Sequence, residues 1–407
     1  MTAERLLECV RILAPLVEVE RPNLDTKREL SPSLLDALTT AGLFRVWIPK
    51  RLGGAELDPV SGLRVIAAVS ALDGSVGWSV MVAAAYGFFA GRLSGRAAAQ
   101  IFGDPRAAVA GHLAPYGKAE MIKGGYRASG RWPFGSGSKH ATWFLAQCTV
   151  QKDGRARPGP AGRPEMRLLF VPAGKCRIHD TWHVSGLRGT GSHDYSMKNV
   201  SVPAEYSMDI LADRPTRPEC LYAFPAIPFV EAAVGAVPIG IARAALDAFK
   251  ELAKTKKSYR SPRPLRAHPT AQREPGRAEL YVRSAEALLF TAVDDMWRTV
   301  KAGKRPTLEQ RVQLRLGCVN AGVSAAEAVD IVYHLGGASS SSRRTGSSAA
   351  SVTFTPPPST ERWPRGRWRW LAGCFWGWTR KACSDLEAAR ANISRGGHHE
   401  PARPTGR

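Results

Sequence analysis

The sequence has 407 residues, 44% of them hydrophobic, enough to bury a substantial core divided between two or three lobes. A formal net charge of +22 would ordinarily point to nucleic acid or an anionic surface, but its distribution argues against both. Residues 347–407 hold nine Arg and one Lys against four acidic residues, Lys254 to Arg277 reads as a solvated Pro-, Lys- and Arg-rich loop, and no zinc-finger spacing accompanies the charge.

The first hundred residues read helical. Ser31-Pro32 is an N-cap followed by Pro at the first helical position, Leu34, Leu35 and Leu38 follow, and Gly42 ends the helix. Gly42 to Gly54 then predicts a short extended passage closing in a turn. Helical runs follow over Pro59 to Leu72 and Ser75 to Leu93, the second rich in Ala and Gly and suited to close packing. From Ala107 to about Pro203 the texture changes to short β-type segments with turn punctuation: Met121-Ile122, Tyr126 to Trp132, Trp143 to Gln151, Arg167 to Val171 and Asp194 to Val202. Helical periodicity returns over Phe229 to Ala253, where Gly235 and Gly240 allow close neighbours and Pro238 predicts a kink. Glu279 to Lys301 and Leu308 to Leu335 complete a bundle. No apolar run approaches the roughly 20 residues of a membrane helix. Met1 to Ile12 carries Glu4 and Glu8 and lacks the pattern of a secretory signal. The chain is therefore expected in the cytoplasm, with neither membrane nor nucleic acid as partner.

Seven scattered cysteines, with no Cys-x-x-Cys and no Cys/His cluster at ligand spacing, read as reduced structural thiols and no metal site.

Three stretches carry a family resemblance: AGLFRVWIPKRLGGAELDP (Ala41 to Pro59), GGYRASGRWPFGSGSKHATWFLAQ (Gly124 to Gln147) and GLRGTGSHDYSMKNVSVP (Gly186 to Pro203). In this order and layout they resemble the acyl-CoA dehydrogenase superfamily, and within it the oxygenase components of two-component aromatic monooxygenases. The resemblance spans residues 1 to about 346. It implies an α+β multidomain fold: an N-terminal helical domain (1–106), a central β-barrel domain with flavin-contacting loops (107–210), a C-terminal helix bundle (211–346), and an aberrant basic tail (347–407). It implies an enzyme that takes reduced FMN or FAD from a separate flavin reductase and uses O2 to hydroxylate a phenolic or indolic ring, in aromatic catabolism or pigment formation. It also implies a homo-oligomer, commonly a tetramer.

Carried onto this sequence, the resemblance places Ser136 beside the flavin N5 atom and His112 where an imidazole can hold a phenolate or a substrate N–H. Gly189, Thr190, Gly191 and Ser192 would offer donors to the flavin or its phosphate. Trp132 and Phe134 would wall it. The plainer readings stay open: a turn-capping serine, a satisfied strand histidine, a structural turn and ordinary aromatic core. Two other functions also stay open: an acyl-CoA dehydrogenase with tightly held FAD, and a non-enzymatic binder acting through the basic tail. Against the dehydrogenase, the chain lacks the Tyr-Glu-Gly-Thr-like segment that carries the catalytic glutamate in many members.

The tail itself resembles nothing in the family, and five of the eleven Trp fall between Trp363 and Trp378. Reading the third base of each codon with the first two of the next permits Arg-Asp-Val-His-Thr-Ala-Ala across Ser351 to Pro358, similar to a helix start of the family. Across Phe375 to Thr379 the same shift forces Leu-Gly-x-Asp. A frameshift between about Ser340 and Ser347 of the coding sequence is therefore expected. It would remove a histidine that related monooxygenases carry soon after that Arg-Asp word, which the shifted codon across Ser359 and Thr360 permits. Resequencing of the locus tests this, and an identical uninterrupted frame would refute it.

Overall fold

The computed structural model describes residues 1–159, 163–211, 214–257 and 261–337, so the proposed frameshift and the basic tail lie outside the described residues. Side-chain caps set the start of the N-terminal helices. Thr2 caps α1 (Ala3–Lys27), which buries Leu6, Val10, Leu13, Val17 and Leu24 as one stripe, each side chain stabilising by about 1.5–3 kcal/mol. The Ser31 hydroxyl accepts from Leu34 N at the head of α2 (Pro32–Thr40). Asp58 caps α3 (Pro59–Leu72), again with Pro at the first helical position. Asp73 caps α4 (Gly74–Gly87), accepting from the amides of Ser75 and Val76 at 2.8 and 3.2 Å. Every residue of α4 except Trp78 is buried, which its small side chains permit. Ser94 caps the short α5 (Gly95–Phe102).

The expected extended passage at 42–54 is instead two 3-10 turns, Leu43–Arg45 and Lys50–Leu52. The physical reason is Arg45. Only 6% exposed, its guanidinium donates to the carbonyls of Leu52, Gly53, Phe102 and Asp104, and the chain must curl to present them. Burial holds its pKa below the ordinary arginine value.

Eight strands form one mixed sheet: β1 (Val109–Ile122), β2 (Gly125–Gly135), β3 (Trp143–Lys152), β4 (Arg155–Ala156), β5 (Met166–Pro172), β6 (Arg177–His179), β7 (His193–Pro203) and β8 (Ser207–Met208). The order is β6-β7-β2-β1-β3-β5-β8, with β4 beside β3. β1 and β3 are parallel and the remaining pairs antiparallel. The path ends on β6 and β8, which do not pair among the described residues, so the expected barrel is an open sheet. Between His112 and Gly117 the register of β1 against β3 shifts, four intervening residues facing the single Gln147. Such a bulge re-aims neighbouring side chains.

The C-terminal part is a bundle of α6 (Ala226–Thr255), α7 (Pro269–Lys301) and α8 (Leu308–Gly336). Helix α7 starts ten residues before the expected Glu279, because Pro269 occupies its first position and Pro275 is accommodated inside it. The predicted solvated loop shortens accordingly. Helix α6 runs as one element through Pro238. A Cβ at Gly240 would lie 2.0 Å from Ala67 O of α3, so only glycine fits that crossing. Thr307 and Gln310 form a capping box at the head of α8. Two stretches, Gly74–Gly91 and Ala226–Thr255, are long and apolar enough to cross a membrane by length and composition, contrary to expectation. They are 83% and 72% buried inside the fold, and core packing accounts for their apolar character. The five cysteines among the described residues are unpaired, and no metal-binding group occurs among those residues.

Candidate active site

Where β2 leaves the sheet, its register against β7 breaks between Trp132 and Gly135, and Pro133 and Phe134 loop out. Phe134 takes a φ of +59°, a left-handed conformation costing a non-glycine residue roughly 1–2 kcal/mol. Its ring is 37% exposed and stands 6.3 Å from the His112 ring and 6.2 Å from Trp182. A strained residue that presents an aromatic face is the kind of outlier that clusters at binding sites.

Behind it the wall is solid. Trp132 is fully enclosed, stacks on Tyr195 at 5.4 Å and 13°, and donates through Nε1 to Gln147 O at 2.9 Å. In this fold Trp132 is part of the core, and of the pair only Phe134 is exposed. The Tyr195 hydroxyl accepts from His112 N at 3.1 Å and donates to Leu145 O, which pins β1 to β3 beside the bulge. Tyr86 of α4 donates to Gly111 O at 3.0 Å.

His112 is half-buried. Burial pulls its pKa down to about 4, and Nδ1 accepts from Ala114 N at 3.0 Å. The ring is thus neutral, with its proton on Nε2. It can donate to an oxygen, but it has no free acceptor for a substrate N–H.

The loop after β2 and the turn before β7 are zipped together. Gly137 N donates to Thr190 O at 2.8 Å and Ser138 Oγ to Gly191 O at 2.9 Å. Ser136 Oγ, 7% exposed, lies 2.7 Å from Ser192 Oγ and receives the Trp78 indole N–H at 3.0 Å. Thr190 Oγ1 lies 2.6 Å from Ser192 Oγ and donates to Leu187 O at 2.8 Å. Gly189 packs its backbone against Leu24 and Ser75. The structure thus brings Ser136, Thr190 and Ser192 into one buried hydroxyl cluster, places Gly189 and Gly191 as its frame, and sets His112 beside Phe134.

A second layer anchors this turn. Arg28, itself left-handed at φ 57°, grips Asp180 with two bonds of 2.7 and 2.9 Å and holds that carboxyl down at about 2. His193 Nδ1 accepts from Trp182 N at 3.3 Å. Burial lowers the His193 pKa, so its 3.3 Å approach to Asp180 is a contact with a neutral ring rather than an ion pair. Sequence reasoning missed Trp78 and Tyr195. Trp78 adjoins no motif residue in the chain, and Tyr195, although inside the Gly186 to Pro203 motif, has its partners on other strands, which no local pattern marks.

Comparison with known proteins gives the chain its relatives. The family model "Acyl-CoA dehydrogenase, C-terminal domain" matches residues 232–345. Indole-3-acetate monooxygenase of Pseudomonas putida is 32% identical over 338 residues, covering 82% of each chain. The flavin-dependent monooxygenase oxygenase subunit HsaA of Rhodococcus jostii is 26% identical, covering 80% of this chain and 86% of its own. Among solved structures, XiaF of Streptomyces sp., in complex with FADH2 and glycerol, superposes with a TM-score of 0.77 at 23% identity, over 86% of this chain and 88% of its own.

Proposed function

Because the chain belongs to the flavin-dependent monooxygenases of the acyl-CoA dehydrogenase superfamily, we propose that its site hydroxylates an electron-rich phenolic or indolic ring with reduced FMN or FAD and O2. A separate flavin reductase would supply the flavin. The observation that carries this reading is the buried Ser136 hydroxyl, fixed by Trp78 and Ser192 next to the loop that presents Phe134.

The residues present fit a flavin. Phe134 offers an aromatic face, Ser136 a hydroxyl held at one position, and the loop at 135–138 with the turn at 187–192 a rigid rim. When bound, reduced flavin supplies two electrons, so that one atom of O2 enters the product and the other leaves as water. Ser136 would meet the ring edge, and its rigid neighbours keep it there without reorganisation. His112, donating from Nε2, would hold a phenol or phenolate oxygen, or a carboxylate on an indolic substrate. The alternative role expected from the resemblance, holding a substrate N–H, does not suit this tautomer, because Nδ1 already accepts from Ala114 N. The enclosed Trp132 and Tyr195 keep water from the rear of the site.

Acyl-CoA dehydrogenation is not favoured by the relatives. It needs a free carboxylate, and two deeply set ones are committed: Asp73 caps α4, and Glu231 pairs with Arg315.

Self-association is the further part of this reading, a tetramer being the form the resemblance implies. On α8, Leu316, Val319 and Val323 are 53%, 41% and 47% exposed, and on α7 Leu280 is 67% exposed. Their spacing on α8 makes one apolar face. We place the protein in the cytoplasm.

The test is hydroxylation of phenolic and indolic compounds with NADH, with and without an added flavin reductase. Turnover should require the reductase and fall at least about tenfold in Ser136→Ala. Bleaching of bound FAD by an acyl-CoA without oxygen would overturn the reading.

A further inference from the structure

The hydroxyl cluster has a direction that follows from counting protons. Thr190 has one hydroxyl proton, and it goes to Leu187 O at 2.8 Å. Thr190 Oγ1 and Ser192 Oγ are 2.6 Å apart, a separation that needs a proton between them. Ser192 must therefore be the donor there. The 2.7 Å contact between Ser192 and Ser136 then takes its proton from Ser136. Trp78 donates into Ser136 at 3.0 Å, since an indole N–H can do nothing else. The chain runs one way, from Trp78 through Ser136, Ser192 and Thr190 to the carbonyl of Leu187. All three hydroxyl residues are buried, at 7%, 3% and 1% exposure, so water does not readily supply alternative partners.

The consequence concerns Ser136. Its own proton is committed to Ser192 and one lone pair to Trp78. What remains is a single lone pair, which makes Ser136 an acceptor toward any incoming group. The two redox forms of a flavin differ at N5: the reduced ring carries a proton there and donates, whereas the oxidised ring offers only a lone pair and accepts.

We propose that Ser192 and Thr190 are positioning residues that lock Ser136 as an acceptor, and that this makes the site select reduced over oxidised flavin. The proposal rests on the flavin reading of the preceding subsection. The discrimination comes from the relay's orientation: an acceptor facing N5–H gains a bond, and an acceptor facing a bare N5 meets a second lone pair in a buried site. The arrangement suits an enzyme that receives its flavin already reduced and must release it once oxidised.

Two substitutions reverse the relay by different routes. Ser192→Ala removes the acceptor of the Ser136 proton. Thr190→Val removes the acceptor of the Ser192 proton, so that Ser192 turns toward Ser136. In both, the Ser136 proton is freed to point outward: in Thr190→Val Ser136 becomes a donor, and in Ser192→Ala it can donate as well as accept. Ser192→Thr keeps a hydroxyl at the central position.

The experiment measures equilibrium dissociation constants of wild type and the three variants for FMN and FAD in both redox forms, anaerobically for the reduced ones. The expected result is tighter binding of the reduced form by wild type and Ser192→Thr. In Ser192→Ala and Thr190→Val the preference should shrink about tenfold, lowering the potential of the bound two-electron couple by about 30 mV, with oxidised flavin bound as well as or better than by wild type. A loss of affinity equal for both redox forms, or a preference unchanged in either variant, would overturn the relay and leave the flavin reading standing. A wild-type protein that binds neither form would overturn both.

Discussion

The Tyr195 hydroxyl is the point where the site meets the stability of the sheet, and Tyr195→Phe tests that link. The substitution deletes one oxygen and leaves the ring, which stacks on Trp132 and on Phe144 at 4.4 Å, in place. Two bonds disappear together: the donor bond to Leu145 O and the acceptor bond from His112 N. Tyr195 is 0% exposed, so both partners are left buried without a replacement. Each such orphaned group costs about 1–3 kcal/mol, and a total of about 2–6 kcal/mol is expected. Because the lost bonds lie beside the bulge that carries His112, the apparent Kd for a phenolic ligand should also rise. Urea unfolding followed by circular dichroism, with comparison of midpoints at unchanged m, reads the first effect, and ligand titration reads the second. A loss of stability below about 0.5 kcal/mol would show that the register around the bulge does not depend on this hydroxyl, and the account of His112 positioning would fail with it.

Gly240→Ala should destabilise by about 1–3 kcal/mol, because a Cβ there meets Ala67 O at 2.0 Å; a thermal midpoint matching wild type would remove α3 from the contact. Stability should fall as pH drops from about 6.5 toward 4. His112 and His140 have folded pKa values near 4, lowered by burial from an ordinary value of 6.5, so the unfolded chain takes up protons first and the folded state is penalised throughout that window. His140→Gln should flatten the decline in urea midpoints between these pH values, and an unaltered decline would exclude His140 as a contributor. Leu316→Glu with Val319→Glu should lower the mass seen in sedimentation, whereas an unchanged assembly would place the subunit interface elsewhere.

Much of the fold was legible because its signals are local. Ser31-Pro32 and Pro59 mark helix starts whose caps bond within three residues, and the long strands announce themselves by alternation and turn residues. The errors fall where distant groups decide. Arg45 curls the passage at 42–54 around carbonyls as far away as Phe102 and Asp104, which no window of sequence contains. β4, β6 and β8 have two or three residues each, too few for a period, and whether a sheet closes depends on such edges. Of the site, Ser136, Thr190 and Ser192 stood out in the motifs, but the donor that orients them, Trp78, comes from a helix 58 residues away. The surroundings of Trp132 were not legible, because an aromatic at a motif position looks the same whether it faces a ligand or packs, as here, on Tyr195.

The central claim, that this chain inserts oxygen into an aromatic ring at the expense of reduced flavin, is tested most directly with labelled oxygen. Protein loaded anaerobically with reduced flavin and mixed with a phenolic or indolic compound should, on admission of 18O2, give a ring-hydroxylated product carrying one labelled oxygen atom. Reoxidation of the flavin with no label in any product across such a panel would contradict it.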